Sequence, residues 1–464
     1  MPMTAIVLAA GEGTRMKSRH PKVTHKLLDR PLVSWAVRSA REAGAERIVV
    51  VVGSGSDEVR AILAGEPGVE CVEQAERLGT GHATRVALEA TGIAEGPLVV
   101  LSGDSPLLRG ATIAQLAARV EAGATACAVL TMTPPDVRGY GRVVLGAEGA
   151  VERIVEDRDC TPEERAALLE CNSGVYAFDA AALVAHIGEI GCDNAQHEYY
   201  LPDMVAILKR HGLPVSAVHC DDYAELLGVN SRAQLAEATA AMQARINADL
   251  MAQGVTMLDP ALVWVGPDVA VGRDTELLPM TMLWGATTVG EGCVVGPNTR
   301  LTDCAVGDGC VVEETVGIQA TLERDVTCGP RAYLRPGAHL LDRAHVGTHV
   351  EIKNSTIGEG SKVPHLSYIG DTTMGSGVNI GAGSITCNYD GVHKNPTTIG
   401  DDVFVGSDTM MVAPVTIGDG ALVGASSCIT RDVPAGALAL ERSDQQVYEG
   451  LATIYFERLR KEQA

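Results

Sequence analysis

The 464-residue sequence has few aromatic residues and little positive charge, and each shortage excludes something. Aromatic residues make up 3% of the chain, which suits a core of Ile, Val and Leu and disfavours one built on bulky rings. The formal net charge of −22 argues against nonspecific binding to nucleic acid or to an anionic membrane surface. Any anionic substrate must therefore be bound by local cations.

Further absences bear on where the protein works. No segment approaches a run of about eighteen uncharged apolar residues, so we expect no membrane-spanning helix. The apolar run from Thr4 to Ala10 is too short for a signal peptide. The twelve cysteines include no CxxC pair, a spacing that does not indicate a zinc site. We expect reduced thiols in a cytoplasmic protein.

What the sequence has in abundance is a six-residue repeat of apolar residues, clearest from Ile399 to Ile429. Such a hexad predicts a parallel β-helix, in which about three hexads close one triangular coil of about eighteen residues. The 51 glycines agree, because tight coil corners need residues that tolerate positive φ. The repeat positions are Val265, Val271, Val289, Val295, Val306, Val312, Ile318, Leu340, Val346, Ile352, Ile357, Val363, Ile369, Ile399, Val405, Met411, Ile417, Val423 and Ile429.

Residues 1–228 show another pattern, in which apolar runs alternate with amphipathic helical stretches, as a mostly parallel sheet requires. We predict an α/β, Rossmann-like domain there, followed by a linker helix over residues 229–253, a β-helix over 254–440 and a tail over 441–464. The tail forms either a terminal helix or a disordered end. The linker helix is predicted to place on one face Leu235, Met242, Ile246 and Leu250.

The first strand ends in LAAGEGTRM, at the edge where ligands gather on such sheets. Its glycines let backbone N–H groups approach phosphate oxygens, and Arg15 and Lys22 add positive charge. The dinucleotide fingerprint would need glycine in place of Met16, and a Walker loop would need a GK[ST] motif that is absent. From these residues alone, a plain glycine turn remains the alternative.

Asp104 follows a buried strand that begins at Leu98. A carboxylate is costly to bury unless it binds a cation or accepts hydrogen bonds, and Mg²⁺ bridging substrate phosphates would satisfy it. Asn230 could complete the metal shell through its carbonyl oxygen. The alternatives are that Asp104 caps the following helix and that Asn230 is an N-cap.

Polar residues interrupt the hexads between Arg331 and Asn395. Residues about one coil apart stack on one edge of a β-helix, so we expect this set to converge in one groove. His365 is the candidate general base, since imidazole accepts a proton from an amine near neutral pH. Most histidines in a chain with twelve are not catalytic. The polar set is Arg335, Lys353, His365, Tyr368, Asn379, Asn388 and Tyr389.

Over nearly its whole length the sequence resembles the bacterial bifunctional N-acetylglucosamine-1-phosphate uridyltransferase/glucosamine-1-phosphate acetyltransferase family. Thr24 departs from the family pattern, which has a larger aliphatic residue in PKVxH, and affects packing only. The hexad region matches as well. The other matching segments are LAAGEGTRM, PKVTHKL, EQAERLGTGHA, SGDSPLL, GYGRVV, IVEDRD, CNSGVY, NAQHEYYL and GVNSR.

For the α/β domain the resemblance implies attack of a sugar-1-phosphate oxygen on the α-phosphorus of UTP, with release of pyrophosphate and without a general base. Mg²⁺, Arg15 and Lys22 would neutralise charge, with Asp104 and Asn230 as the metal ligands. The implied UTP and UDP-N-acetylglucosamine site comprises Leu8, Ala9, Ala10, Gly11, Lys22, Gln74, Gly79, Thr80, Ser102, Gly103, Asp104, Gly141, Glu156, Asn172 and Asn230.

For the β-helix the resemblance implies that His365 deprotonates the amino group of glucosamine-1-phosphate, which attacks acetyl-CoA, while Asn388 orients the base or the acetyl group. Arg335 and Lys353 would bind the sugar phosphate, and Tyr368 and Asn379 the sugar. A left-handed coil and a homotrimer with sites between subunits are also implied. The implied acetyl-CoA contacts are Ala382, Asn388, Tyr389, Ser407, Ala425 and Arg442.

Two rival functions are weighed against this bifunctional enzyme. A single-activity sugar-phosphate nucleotidyltransferase with a structural or regulatory β-helix leaves Lys353, His365 and Asn388 unexplained. A nonenzymatic scaffold would require Arg15, Lys22, Asp104 and Asn230 to coincide by chance. We therefore expect an enzyme that acetylates glucosamine-1-phosphate and then uridylylates the product, with acetyl-CoA and UTP as co-substrates.

Overall fold

The computed structural model describes residues 2–11, 13–146, 149–194 and 196–462. The chain divides into two compact units between Arg245 and Ile246. Glu12 and Ala195, which belong to two of the matching segments, and the last two residues of the predicted tail lie outside the described residues. None of the helices within the described ranges is long and apolar enough to cross a membrane.

The first unit contains a nine-stranded sheet, and four of the six neighbouring pairs in its main order of seven strands run parallel, as predicted for most of the sheet. Cys171–Asp179 runs antiparallel to both of its neighbours in the main order. It also pairs with a hairpin of Arg142–Leu145 and Val151–Val155. In spatial order the main strands are Val215–His219, Cys127–Met132, Cys171–Asp179, Pro97–Ser102, Met3–Ala9, Ala45–Gly53 and Val69–Gln74.

The strand Ala45–Gly53 shows why these segments are continuous apolar runs. Val49 and Val51 pack into one hydrophobic core, whereas Val50 and Val52 pack into another. Successive side chains point to opposite faces of a strand, so both faces are buried, as in parallel sheets covered by helices. The helices of this unit are Leu32–Glu42, Asp57–Leu63, Thr80–Thr91, Gly110–Glu121, Pro162–Ala167, Ala180–His186 and Asp203–Arg210. Shorter elements are the 3₁₀ turns Thr14–Met16, Lys22–Thr24, Ile187–Glu189 and Tyr223–Leu226 and the strand pair Lys26–Leu27 and Arg30–Pro31.

The second unit is a hexapeptide-repeat parallel β-helix with three walls, each a sheet of parallel strands. Wall 1 consists of Thr256–Met257, Glu276–Leu277, Val294–Val295, Val311–Val312, Thr327–Cys328, His345–Thr348, Lys362–His365, Asn379–Ile380, Phe404–Val405, Leu422–Val423 and Leu438–Ala439. Wall 2 consists of Val263–Val265, Thr281–Trp284, Arg300–Thr302, Val316–Ile318, Tyr333–Leu334, Glu351–Lys353, Tyr368–Gly370, Ile385–Cys387, Met410–Val412 and Cys428–Ile429. Wall 3 consists of Ala270–Val271, Thr288–Val289, Ala305–Val306, Thr321–Leu322, Ala338–Leu340, Ser355–Ile357, Thr372–Met374, Thr397–Ile399 and Val415–Ile417.

The predicted repeat positions lie in the core of this unit, with two exceptions. Ile399, Val405 and the other residues of the regular run are buried in one continuous cluster. Ile318 does not point inward: it is half-buried, and Gly317 takes the inward position of that strand. A side chain at Gly317 would collide with the core, because an added Cβ would lie 2.8 Å from Leu301 Cδ2. Val271 is only partly buried, although it packs against the same core.

The coils vary in length, contrary to a fixed coil of about eighteen residues. Val346 pairs with Val363, whereas Ile380 pairs with Val405, since a loop is inserted in the second of these coils. Glycine serves the corners in two ways. Gly337 adopts a φ of +78°, which other residues rarely adopt. Gly307 allows close stacking, because an added Cβ would lie 2.8 Å from the carbonyl oxygen of Glu323 in the next coil.

The predicted linker helix is Arg232–Ala252, and Gly254 follows it with a φ of +100°. Met242 and Leu250 are buried, whereas the other two predicted apolar positions are half-buried. Asn247, which the apolar pattern omitted, is fully buried because its Nδ2 donates to the carbonyl oxygens of Pro260 and Val263, each at 2.8 Å. Two helical elements remain in this unit, the 3₁₀ turn Pro260–Leu262 and the exposed terminal helix Leu451–Glu462.

Candidate active sites

The end of the first strand lies beside the end of the strand Pro97–Ser102. Leu8 pairs with Ser102, and the N–H of Gly103 donates to the carbonyl oxygen of Leu8 at 2.9 Å. This pairing brings two predicted segments, Leu8 to Gly11 and Ser102 to Asp104, to one edge of the sheet. Gly13 adopts a φ of +62°, and an added Cβ would lie 2.5 Å from the Cβ of Lys22. Glycine there therefore permits Lys22 to lie close over the turn.

Lys22, Asp104 and Asn230 form a hydrogen-bonded cluster at this edge. Lys22 Nζ donates to Asp104 and also to Asn230 Oδ1, the latter at 2.9 Å. Asp104 additionally accepts a hydrogen bond from the hydroxyl of Ser102. The side chains of Lys22 and Asp104 are 12% and 11% exposed, so two oxygen-bearing groups converge on one cation in a nearly buried position.

The two capping alternatives for these residues are wrong. The helix after Asp104 begins at Gly110, with Arg109 at its N-cap position and no side-chain cap. The linker helix is capped by Ser231, whose Oγ accepts from the N–H of Gln234 at 3.2 Å. Asp104 and Asn230 are therefore available to the cluster. Arg15 lies exposed on the turn Thr14–Met16, outside this cluster.

Gln74, Gly79 and Thr80 also lie together. Gln74 Nε2 donates to the carbonyl oxygen of Gly79 at 3.2 Å, and Gln74 itself is buried. Gly79 adopts a φ of +104°, and an added Cβ would lie 2.6 Å from the carbonyl oxygen of Tyr199. The N–H of Leu201 donates to Thr80 Oγ1 at 3.0 Å. The end of the matching segment NAQHEYYL, Tyr199 to Leu201, thus packs directly on this group.

A third group joins Gly141, Glu156 and Asn172. The N–H of Asn172 donates to the carbonyl oxygen of Gly141 at 2.8 Å, and an added Cβ at Gly141 would lie 3.1 Å from Glu156 Oε1. Burial, with the nearby carboxylates of Asp159 and Asp203, raises the pKa of Glu156. These carboxylates line a cleft of about 370 Å³, and sequence reasoning found Glu156 but neither of its acidic neighbours.

In the β-helix, the structure brings Lys353, Tyr368 and Asn388 together around Asp371, which sequence reasoning missed. Asp371 lies at the corner where wall 2 passes into wall 3. Lys353 Nζ lies 3.0 and 3.1 Å from its two carboxylate oxygens, and Asn388 Nδ2 donates to Oδ2 at 2.6 Å. Asn354 Nδ2 donates to Oδ1 at 2.8 Å.

Burial alone would raise the pKa of Asp371, but the hydrogen bonds from Asn354, Lys353 and Asn388 together lower it. The carboxylate is therefore charged near neutral pH. A signal for this residue was present in the sequence: Asp371 lies about one coil after Lys353 and about one coil before Asn388, the spacing that selected those two.

Arg335 lies one coil before Lys353, since its N–H donates to the carbonyl oxygen of Ile352 at 2.8 Å. Its guanidinium forms an ion pair with Glu351 at 2.9 Å. Arg335 and Lys353 therefore follow each other on one edge, and each is held by a carboxylate. The side chains of Arg335 and Glu351 are 40% and 37% exposed, so this pair is accessible to a ligand.

His365 belongs to a different edge, the corner between wall 1 and wall 2. It pairs with Thr348 in the preceding coil, and the N–H of Gly383 in the next coil donates to its carbonyl oxygen at 3.3 Å. The following coils place Ala382, Ser407 and Ala425 at the same corner, because Asp408 N–H donates to Ala382 O at 2.7 Å and Ser426 N–H to Ser407 O at 2.8 Å. Arg442 Nη1 donates to the carbonyl oxygen of Ala425 at 3.1 Å.

His365, Ala382, Ser407, Ala425 and Arg442 form what we call the corner column. Among the described residues, no direct hydrogen bond joins the corner column to the Asp371 cluster. The predicted residues thus lie on two edges of the same coils and do not converge in one groove of the described chain. Most of the predicted acetyl-CoA residues lie in the column.

The remaining predicted residues lie outside both groups. Asn379 begins a strand of wall 1 and pairs with Lys362 and Phe404. Tyr389 is 56% exposed on the inserted loop, where Lys394 Nζ lies 4.1 Å from its ring centroid. Lys394 also lines a polar groove of about 450 Å³ on wall 3 together with Asn354 and Asp371.

These features define a class of protein, a nucleotidyltransferase joined to a hexapeptide-repeat transferase. Residues 5–168 match the family model of the MobA-like NTP transferase domain. Residues 396–431 match the model of the bacterial transferase hexapeptide, six repeats.

Relatives that match the whole chain identify the family. The bifunctional protein GlmU of Streptomyces avermitilis is 49% identical over 97% of this chain and 94% of its own. GlmU of Trichlorobacter lovleyi is 46% identical over 95% of this chain and 96% of its own, and GlmU of Heliobacterium modesticaldum is 47% identical over 96% and 97%. The chain belongs to the GlmU family of bifunctional proteins.

Proposed function

We propose that the chain carries out two successive steps of UDP-N-acetylglucosamine synthesis at separate sites. The β-helix transfers an acetyl group to glucosamine-1-phosphate, and the first unit transfers the uridylyl group of UTP to the product. The observation that carries this proposal is that each unit holds its own Lys–Asp–Asn cluster. Lys22, Asp104 and Asn230 form one, whereas Lys353, Asp371 and Asn388 form the other.

In uridylyl transfer, a phosphate oxygen of N-acetylglucosamine-1-phosphate attacks the α-phosphorus of UTP. The new P–O bond forms as the bond to pyrophosphate breaks, and no proton has to be removed because the nucleophile is an anion. Lys22 is proposed to meet the negative charge of the triphosphate, and Arg15 adds an exposed cation. Positioning and charge neutralisation therefore supply the catalysis.

Asp104 and Asn230 fit a Mg²⁺ ion, because their oxygens already converge on a cation and Mg²⁺ prefers such hard oxygen ligands. When bound there, Mg²⁺ supplies further neutralisation of the phosphates. Gln74, Gly79 and Thr80 are proposed to contact the uracil. Gly141, Glu156 and Asn172, which line or adjoin the 370 Å³ cleft, are proposed to bind the N-acetylglucosamine moiety.

In acetyl transfer, His365 takes a proton from the amino group of glucosamine-1-phosphate. The amine nitrogen then bonds to the acetyl carbon as its C–S bond breaks, and the CoA thiolate leaves and is protonated. Acetyl-CoA is proposed to run along the corner column with its thioester at His365, which places Arg442 at the other end. Arg335 and Lys353 bind the sugar phosphate; Tyr368 and Asn379 contact the sugar.

A homotrimer through the β-helix is part of the proposal. The hexapeptide repeats support it, and we propose that a neighbouring subunit completes the polar groove that Asp371 and Lys394 line. We also propose a cytoplasmic location, where UTP and acetyl-CoA are available.

The test is a pair of variants assayed for both reactions. We expect Asp104→Ala to abolish UTP-dependent pyrophosphate release while thiol release from acetyl-CoA with glucosamine-1-phosphate persists, and His365→Ala to do the reverse. Full acetyl transfer in His365→Ala would refute the base assignment. Loss of both activities in either variant, with the oligomer intact, would refute separate sites.

Two controls match these variants. Asp57→Asn removes an exposed carboxylate from the same unit as Asp104, and His339→Gln removes a histidine of wall 3 that is hydrogen-bonded to Glu323. Both controls should keep both activities. An absence of thiol release by the unsubstituted enzyme would instead support a single-activity nucleotidyltransferase.

A further inference from the structure

We infer that Asp371 is a positioning residue for acetyl transfer, which sets the direction of the hydrogen bonds around Asn388 and the place of the Lys353 ammonium. The inference rests on the proposed acetyl transfer in the β-helix. It concerns a residue that neither the hexad pattern nor the family resemblance selected.

The backbone holds Asp371 in place independently of its side chain. Its φ is +50°, its N–H donates to the carbonyl oxygen of Lys353 at 3.0 Å, and its own carbonyl oxygen accepts from the N–H of Thr397 at 3.1 Å. The carboxylate is 12% exposed and accepts hydrogen bonds from three side chains. A charged group in this position has a fixed location and a fixed direction.

The carboxylate determines which way the amide of Asn388 faces. A carboxylate can only accept hydrogen bonds, so Asn388 has to turn its Nδ2 toward Asp371, and the amide carbonyl oxygen points away. Asn388 is 5% exposed, which restricts any other rotamer. The same Nδ2 donates a hydrogen bond to the hydroxyl oxygen of Tyr368 at 3.3 Å. The hydroxyl proton of Tyr368 therefore stays free to be donated to a ligand.

The site consequently offers an acceptor at Asn388 Oδ1 and a donor at the Tyr368 hydroxyl. An amine nucleophile or an imidazole N–H can be oriented by the first, and a sugar or acetyl oxygen by the second. Without the negative charge at Asp371, the amide of Asn388 has no reason to prefer this orientation over the reverse one.

A competing explanation, that Asp371 only offsets the charge of Lys353, makes the opposite prediction. Lys353 lies 3.0 Å from the carboxylate, so neutralising Asp371 would free its charge for the sugar phosphate. Charge offset therefore predicts a lower KM for glucosamine-1-phosphate with an unchanged kcat. Positioning predicts a lower kcat, since orientation is lost at the reacting groups.

The experiment is Asp371→Asn in the full-length enzyme. Asn also tolerates a left-handed φ, so the substitution changes charge and hydrogen-bond direction while the corner keeps its backbone. We expect kcat for acetyl transfer to fall by about 10²-fold with KM for glucosamine-1-phosphate changed by less than about 10-fold. Uridylyl transfer by the same preparation should stay within about twofold, as an internal measure of active enzyme.

A double variant tests the route through Asn388. If Asp371 acts by orienting that amide, Asp371→Asn should add less than about threefold to the loss caused by Asn388→Ala alone. Asp325→Asn is the matched control, because Asp325 also occupies a coil corner with a φ of +58°. It should leave kcat unchanged.

Three outcomes would overturn the inference. A lower KM with unchanged kcat in Asp371→Asn would support charge offset. If the fold-loss in kcat of the double variant equalled the product of the fold-losses of Asp371→Asn and Asn388→Ala, Asp371 would not act through Asn388. Equal losses of acetyl transfer and of thermal stability in Asp371→Asn and Asp325→Asn would assign Asp371 to the fold alone. Failure of the proposed function itself would appear separately, as absent acetyl transfer in the unsubstituted enzyme.

Discussion

The two clusters contain the same three residue types, but a cation lies at the centre of one and an anion at the centre of the other. In the first unit the lysine is central, because Lys22 donates to both Asp104 and Asn230. In the β-helix the aspartate is central, since Asp371 accepts from both Lys353 and Asn388. The first arrangement turns oxygens toward a cation, whereas the second turns N–H groups toward an anion.

This difference teaches how each site is adapted to its reaction. Oxygens converging on a cation suit a reaction whose substrates are polyphosphates bound with a metal ion. Donors fixed by a buried anion suit a reaction in which a neutral amine has to be oriented for attack. A central residue has no substitute within its cluster, so its loss should cost more than the loss of a peripheral residue, unless that residue is also a proposed Mg²⁺ ligand, as Asp104 is.

After Asp104→Ala, the largest effect is expected for Lys22→Met, which removes the centre of the first cluster. Asp104 and Asn230 would then lack the lysine ammonium, and the substrate phosphates would lose one neutralising charge, so we expect kcat for uridylyl transfer to fall by about 10²- to 10³-fold. Acetyl transfer should be unchanged. Pyrophosphate release and thiol release from one preparation measure both. A fall of less than about threefold would show that Lys22 is not central.

A smaller effect is expected from Gly317→Val in the β-helix core. The added side chain would meet Leu301 Cδ2 and Cys304 Sγ, and overpacking of this kind costs about 1–3 kcal/mol of unfolding free energy. Residual acetyl transfer after a heat challenge should fall earlier than uridylyl transfer. Ile318→Val is the control, since Ile318 is half-buried; an equal loss there would contradict the inward position of Gly317.

Lys353→Met removes a peripheral residue of the second cluster. Asp371 keeps its hydrogen bonds from Asn354 and Asn388, so the cluster should persist. We expect KM for glucosamine-1-phosphate to rise by about 10-fold, the loss of one charge-assisted contact, with kcat changed less. Steady-state kinetics at several sugar-phosphate concentrations would check this. A loss in kcat as large as that of Lys22→Met would remove the distinction between central and peripheral residues.

The smallest effect is expected for the stability change caused by replacing Glu156. This carboxylate lies among other carboxylates and belongs to neither Lys–Asp–Asn cluster. Burial and the neighbouring Asp159 and Asp203 raise its pKa, so the folded state loses stability as pH rises from the ordinary glutamate pKa through the raised value. Glu156→Gln removes this cost. We expect its melting temperature to exceed that of the unsubstituted enzyme by about 1–2 °C at pH 8 and to equal it at pH 4. An equal difference at both pH values would exclude titration of Glu156 as the cause.

Much of the fold was predictable because its signals are periodic. Buried strands covered on both faces appear as continuous apolar runs, and nearly all of the hexad positions lie in the core of the β-helix. That core also contains residues that the hexad positions omit, such as Leu283 and Leu322. Ile318 was misplaced because a hexad counts residues, whereas the inward position depends on the space left by Leu301 and Cys304. Asn247 was missed because its burial depends on two carbonyl oxygens that no pattern in the helix reveals.

Candidate site residues could be selected from the sequence, whereas their arrangement could be predicted only in part. Asp104 and Asn230 were expected to share a metal ion, and the structure shows that Lys22 donates to both. The separation of His365 from the Lys353 edge could not be derived from spacing, since about one coil fits any corner of a triangle. Asp371 was missed because a carboxylate at a coil corner resembles the many corner Asp and Asn residues that only tolerate positive φ, such as Asp325 and Asp402.

The corner column also has a defined length. Neighbouring coils are about 4.8 Å apart, so the three steps from His365 to Ala425 span about 14 Å. In the proposed binding mode, a donor that carries its acyl group on a flexible arm bridges that span, and the length of the span changes only in whole coils. Adding or removing one coil is thus the smallest change in column length that evolution or design can make. The acyl carriers that fit, distinguished by the length of their arm, would change in the same steps.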